Sequence, residues 1–289
     1  QSGRYVLIEK THITTGVYWV AFPKAQLRIL CGCPADSVKH LMKKGLIQWV
    51  EKNGVTYETG PNAILLSDLS LQNGHFANLA EFPVLQMLYR QGIIIPKHPN
   101  NTGDKPILIG QEEIVRSQMN YIYRGNYGLI SQQEIEAAGI SPNIADEMMR
   151  LKLRFAFGSI RPTEDLLEDC VVRDQAIEIR NGVFVRRLGF NVYEFNYEED
   201  FVQVDLNLSE GEAYETPYDL GAHQVSCDYF AVTHSGEGDG WDINRPCMAS
   251  IVTFQGRIYL IDAGPNIAHT LNALGINVNE VEGIFHTHA

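Results

Sequence analysis

The chain reads as a mixture of α/β and α+β structure: an N-terminal α+β module over residues 1–165, followed by a strand-rich unit over residues 166–289. Three observations predict this. The length of 289 residues suffices for two domains. Helix-type and strand-type periodicities alternate in the first half, whereas alternating strands and hairpin turns dominate the second. Charge also steps: residues 1–160 hold 16 Lys+Arg against 13 Asp+Glu, while residues 161–289 hold 7 against 22, out of a net −12. The boundary is expected near residues 160–175.

The elements follow in order. Val38, Leu41 and Met42 give a helical face after Cys33-Pro34-Ala35-Asp36-Ser37, and Gly45 supplies its stop. Asn53-Gly54 between apolar runs at 47–50 and 55–57 predicts a hairpin. Residues 77–89 read as a helix interrupted near Pro83, residues 92–96 as a strand, and 98–103 as a polar loop. Ser131-Gln132-Gln133-Glu134 is a capping box opening a short helix, Gly139-Ile140-Ser141-Pro142 leads to a second helix ending near Phe155, and Pro162 starts a third. Asn181-Gly182 predicts another hairpin, and residues 201–206 alternate as a strand. A strand at 229–232 enters the glycine-rich segment Ser235-Gly236-Glu237-Gly238-Asp239-Gly240. Residues 249–254 and 257–261 form a hairpin, 267–274 a helix and 281–285 a strand. No internal repeat or low-complexity segment is visible.

Composition excludes several classes. No apolar run reaches the roughly 18 residues of a membrane span, and residues 1–4 carry no secretory h-region. Five cysteines, an odd count in a long chain, argue against a disulfide framework and for a reducing, cytoplasmic setting. Cys31-Gly32-Cys33 is too tight for a zinc knuckle and reads as two free thiols. The acidic second half disfavours DNA as a partner. Residues 26–46 and 131–154 have a helix-turn-helix flavour, but they read as packed helical hairpins, since only Arg150, Lys152 and Arg154 would supply a basic face. The glycine-rich segment lacks the Lys-Ser/Thr of a phosphate-binding loop and reads either as flexible or as gating a substrate.

The strongest chemical signal is His286-Thr287-His288-Ala289. Two histidines at i and i+2 after a strand point to one side, and neutral imidazoles are favoured ligands for zinc and related metals. One such pair implies further ligands, which the sequence as given does not contain. His223 and His234 could line the same cleft but read as loop or packed histidines; His269 reads as helix surface.

A strand, Asp262-Ala263-Gly264, a helix, a second strand and then His286-Thr287-His288 resembles the opening of the metallo-β-lactamase superfamily over about residues 200–289. The resemblance implies an αββα sandwich, of which this chain carries the first part, and a His-x-His-x-Asp-His motif. His286 and His288 would bind the first metal, and an Asp and a His two and three residues beyond His288 the second. Asp262 would be the turn aspartate that orients the metal loop, with Gly264 in the tight turn. His288 stands where the oxygen-reducing diiron members carry Glu, which favours the hydrolytic members. Thr233-His234-Ser235-Gly236, with Asn244 through Ser250, loosely resembles the ribonuclease Z and phosphodiesterase branch and makes His234, Ser235 and Gly236 a candidate substrate loop. The implied activity is hydrolysis of a phosphodiester or other ester by a metal-bound hydroxide. It needs two divalent metals, zinc first with manganese or iron as alternatives. The implied partners are a small-molecule or nucleotide-like substrate and a second copy in a homodimer. With the motif incomplete, the chain alone is expected to be inactive. The alternative is a non-enzymatic regulatory or DNA-binding module attached to a truncated scaffold.

Overall fold

The computed structural model describes residues 6–74 and 76–287. It is a mixed α/β structure with several sheets and, among the described residues, seven α-helices. None of those helices is long and apolar enough to cross a membrane.

The first sheet is built from β1 (Glu9–Thr14), β2 (Val17–Phe22), β3 (Leu27–Cys31), β6 (Ala63–Leu65), β9 (Ile107–Gly110) and β10 (Glu168–Val171), in the order β1-β2-β3-β6-β9-β10. The first three strands are antiparallel neighbours and the rest run parallel. Parallel strands covered on both faces need unbroken apolar runs. Ile29-Leu30-Cys31, Ala63-Ile64-Leu65 and Ile107-Leu108-Ile109 meet that need and are fully buried. Leu30, Ile64 and Leu108 face a layer that includes α1 (Ser37–Lys43), α2 (Glu81–Leu85), α3 (Glu112–Tyr127) and α6 (Thr163–Leu166). Ile29, Cys31, Leu65 and Ile109 face the antiparallel meander β11 (Ile177–Arg180), β12 (Val183–Gly189), β13 (Val192–Tyr197) and β14 (Asp200–Asp205), where Phe195 packs edge-on against Phe22. Strand pairing and packing therefore continue across residues 160–175, where the charge changes. Two small hairpins, β4 (Trp49–Lys52) with β5 (Val55–Glu58) and β7 (Leu71–Gln72) with β8 (Phe76–Ala77), decorate this body, as does the helical pair α4 (Gln132–Ala137) and α5 (Pro142–Phe155).

A four-stranded sheet follows: β15 (Phe230–Gly236), β16 (Ala249–Phe254), β17 (Arg257–Ile261) and β18 (Val281–Phe285), the last two parallel. One face buries Ile251, Ile258 and Leu260 against Leu271 of α7 (Ile267–Ala273). The other leaves Phe230, Val232, Phe254 and Phe285 exposed.

The strand expected at 92–96 is absent. After the π-turn Gln86–Arg90 that continues α2, the amides of Ile93 and Ile94 bond back to the carbonyls of Met87 and Leu88, so the segment closes the helix end. Helix α2 starts only at Glu81 because Phe76–Ala77 pairs as β8. Cys31 and Cys33 are free, as are the other cysteines, and burial pushes the Cys33 thiol up to about 12.

The backbone carries a repeat that the sequence conceals. The run β1-β2-β3-α1-β6 recurs as β15-β16-β17-α7-β18. Both copies break register at the same place, between His12 and Thr14 and between His234 and Gly236. Both turn through left-handed backbone after the third strand, at Gly32 (φ 78°) and Asp262 (φ 55°). Both then cap a seven-residue helix with a left-handed residue, Asp36 (φ 60°) and Asn266 (φ 57°), and leave it through a glycine at φ 71°, Gly45 and Gly275. The Gly32 amide bonds to the Leu65 carbonyl and the Asp262 amide to that of Phe285, each at 2.9 Å. Between residues 27–46 and 257–276 only Leu30/Leu260, Leu41/Leu271 and Gly45/Gly275 are identical. The two copies meet at matching positions: the Asn266 Nδ2 donates to Asp36 Oδ2 at 2.8 Å, and Tyr218 lies between Lys39 and His269.

Gly32 shows what this turn demands. A Cβ there would lie 2.5 Å from the Gly16 carbonyl oxygen, at a φ of +78°. Gly32→Ala is therefore expected to cost about 2 kcal/mol or more, adding backbone repulsion to the left-handed penalty. Thermal denaturation should show the loss, whereas Gly54→Ala, where a Cβ meets nothing, should cost less.

Candidate functional site

The candidate site lies where β17 and β18 end side by side. Ile261 and Phe285 are register partners, and the same row continues through Ser250 to His234. The chain turns sharply at Asp262, and Gly264 (φ 67°) completes the turn before α7. The Asp262 carboxylate is spent on the residue that separates the two histidines. Its Oδ1 accepts from the Thr287 amide at 2.9 Å and its Oδ2 from the Thr287 hydroxyl at 2.6 Å. With the Asp262 amide on the Phe285 carbonyl, three hydrogen bonds tie the Asp-x-Gly turn to the His-x-His segment. Asp262 is thus placed to orient the loop, with neither carboxylate oxygen left wholly unused.

His286 is exposed at the end of β18. His288 lies outside the described residues. Among the described residues no group of three or more His, Cys, Asp or Glu could hold a metal ion.

The three residues expected as a substrate loop, His234, Ser235 and Gly236, instead form the end of β15. His234 Nδ1 lies 3.1 Å from the Ser250 hydroxyl. His234 and Ser235, with His223, Leu220, Thr270, Ala273 and Leu274, line a cavity of about 260 Å³, so the structure does bring His223 and His234 to one place. Gly236 is buried where a Cβ would run into the backbone of Pro246 and Cys247. His269 is not free helix surface: its ring faces Tyr218, and its Nε2 is buried without a hydrogen-bond partner.

The glycine-rich segment beyond Gly236 is docked on the first body. Trp241 packs on Phe82 with ring centroids 4.4 Å apart, and the Arg90 guanidinium lies 3.9 Å over the Trp241 ring. The fully buried Lys39 donates to the Arg245 carbonyl at 2.7 Å. A Cβ on Gly240 would collide with the Phe82 ring. Trp241→Ala is accordingly expected to release residues 237–248. Cleavage after Glu237 by a glutamate-specific protease should accelerate at least severalfold with the thermal midpoint little changed; an unchanged cleavage rate would show that Trp241 does not hold the segment.

The matching positions of the first copy carry different chemistry. Counting on from Leu65 and Phe285, Leu66 stands where the second copy has His286, and Asp68 where it has His288. The Asp68 side chain is 1% exposed and pairs with Arg187 at 2.9 Å. It also accepts from the Asn191 amide at 2.7 Å and from the Tyr193 hydroxyl. Burial pushes the Asp68 carboxyl up, but the hydrogen bonds from Asn191, Tyr193, Gln111 and Arg187 outweigh it and hold it below its ordinary value. Asn191 in turn accepts from Ser67, and Gln72 donates to Ser67. Arg187, Asn191 and Tyr193 lie over a hundred residues from Asp68 in sequence, so no local motif betrays the cluster.

No family model matches the chain, and no curated protein or solved structure matches it.

Proposed function

We propose that the chain carries the opening half of a metal-dependent hydrolase site of the metallo-β-lactamase type, acting on a phosphodiester or another ester. The observation that carries this reading is the clasp of Asp262 on Thr287, which orders the backbone between the two candidate ligands. The donor set fits a divalent metal. His286 and His288 offer neutral nitrogens suited to zinc, with manganese or iron as alternatives. The metal, when bound, supplies Lewis acidity and lowers the pKa of water for attack on the ester. The protein's own part is positional: Asp262 fixes the loop through Thr287, Gly264 permits the turn, and His234 and Ser250 sit in the same register row at the site's edge.

Residues 1–206 take a supporting role in this proposal. They repeat the strand-helix frame with Leu66, Asp68 and Gly32 at the positions of His286, His288 and Asp262, and so serve as a metal-free counterpart. The second copy docks on it through Asp36, Lys39 and Trp241. Cleavage of bis(p-nitrophenyl) phosphate against p-nitrophenyl acetate, with zinc and then manganese added, tests the substrate class. It should be run on the protein comprising this chain and the residues that follow it in the gene. Turnover of the diester lost in His286→Ala is expected; turnover of neither ester would remove the hydrolase proposal.

A further inference from the structure

Helix α5 presents an apolar stripe to solvent that the site does not use. Ile144, Met148, Leu151 and Phe155 are 54%, 42%, 48% and 81% exposed. Their spacing of four, three and four residues places all four within a narrow stripe, the seam spacing of paired helices. A solvent-facing helix has no need of such a stripe. One flank of α5 is already engaged: Ala145 is buried, and the Lys152 ammonium donates to the Tyr127 carbonyl of α3. The stripe is therefore held on a fixed element rather than on a loose tail.

The stripe is symmetric about its own midpoint. Turned end for end, Ile144 falls opposite Phe155 and Met148 opposite Leu151. The charges reverse with it. Asp146 and Glu147 lie in the first half of α5, and Arg150, Lys152 and Arg154 in the second. Asp146 is paired within the helix to Arg150 at 2.8 Å, but Glu147 and Arg154 have no ion-pair partner among the described residues. In an antiparallel pair, Glu147 comes level between Arg150 and Arg154 of the second copy, with Arg154 on the same flank of the seam and Arg150 further round the helix. An acidic start and basic end also suit the helix dipole, but the dipole does not call for four exposed apolar residues between them.

We propose that this face of α5 is the contact surface of a two-fold homodimer, in which α5 packs antiparallel on α5 of a second copy of this chain. A two-fold contact requires a patch complementary to itself, and both the apolar order and the charge order of α5 meet that condition. The contact is about 17 Å long, eleven steps of helical rise from Ile144 to Phe155. A contact of this length should form a concentration-dependent dimer rather than an obligate one. It does not depend on the hydrolase proposal.

Sedimentation equilibrium of the chain over a range of concentrations tests it. A monomer–dimer equilibrium is expected, with Leu151→Glu abolishing the dimer at an unchanged thermal midpoint, because Leu151 is half exposed. Glu147→Arg should weaken the dimer roughly tenfold or more by setting like charges together. Combining E147R with R150E and R154E should restore it. A monomer at every soluble concentration, or a dimer indifferent to both L151E and E147R, overturns the proposal. A dimer lost in L151E but not restored by the charge exchange overturns the antiparallel register.

Discussion

Replacing Asp68 by Ala is expected to destabilise the protein by roughly 3–5 kcal/mol, the cost of removing one partner of a buried ion pair. The Arg187 guanidinium, the Asn191 amide and the Tyr193 hydroxyl would all lose their acceptor at once. Asp68→Asn keeps the shape but not the charge and should fall between wild type and Ala. Chemical denaturation monitored by tryptophan fluorescence measures the difference. The pH dependence has a definite sign. The folded carboxyl titrates below its ordinary value. Its stabilisation is therefore present above the unfolded carboxylate range, about pH 4, and is lost as pH falls through the lower folded value. The acid limb of the stability profile should flatten in Asp68→Ala, and a limb identical to wild type would show that Asp68 is not its source.

The second large effect concerns Asp262. In the protein that completes the motif, Asp262→Ala should weaken metal binding about 10–100-fold, the usual cost of deleting an outer hydrogen-bond partner that orients ligands. It removes both acceptors of Thr287 while leaving the imidazoles intact. Asp262→Asn retains one acceptor and should lose less. Thr287→Val, which deletes only the hydroxyl donor, should behave like the milder variant. If Asp262→Ala left metal affinity unchanged, Asp262 would have no part in shaping the site, whatever the activity did.

The second sheet was legible to the residue at several edges. Residues 249–254, 257–261 and 281–285 are strands as the alternation and the Gln255-Gly256 turn predict, and the helix from 267 follows. Local chemistry suffices there because each element meets its neighbour directly in the chain. The first sheet was not legible in the same way. Ile107–Gly110 is a central strand between β6 and β10, partners over forty residues away on one side and nearly sixty on the other, and nothing within Ile-Leu-Ile-Gly names them. The glycine-rich segment looked free because its anchors, Phe82, Arg90 and Lys39, lie in the other half. The repeat escaped because it resides in backbone: Gly32 and Asp262 share a left-handed turn, and Asp36 and Asn266 a left-handed cap, without sharing side chains. Of the candidate site, the types and spacing of Asp262, His286 and His288 were plain in sequence. What required coordinates was that Asp262 spends its carboxylate on Thr287.

The most direct measurement is the metal content of the purified protein comprising this chain and the residues that follow it in the encoding gene, by elemental analysis of wild type and His286→Ala. The hydrolase proposal predicts a divalent metal, about two per chain as in two-metal sites, reduced in H286A while Asp68→Asn keeps the full complement. It also predicts an Asp and a His two and three codons after His288. A protein with no bound zinc, manganese or iron after reconstitution, or one whose content H286A leaves unchanged, would contradict it.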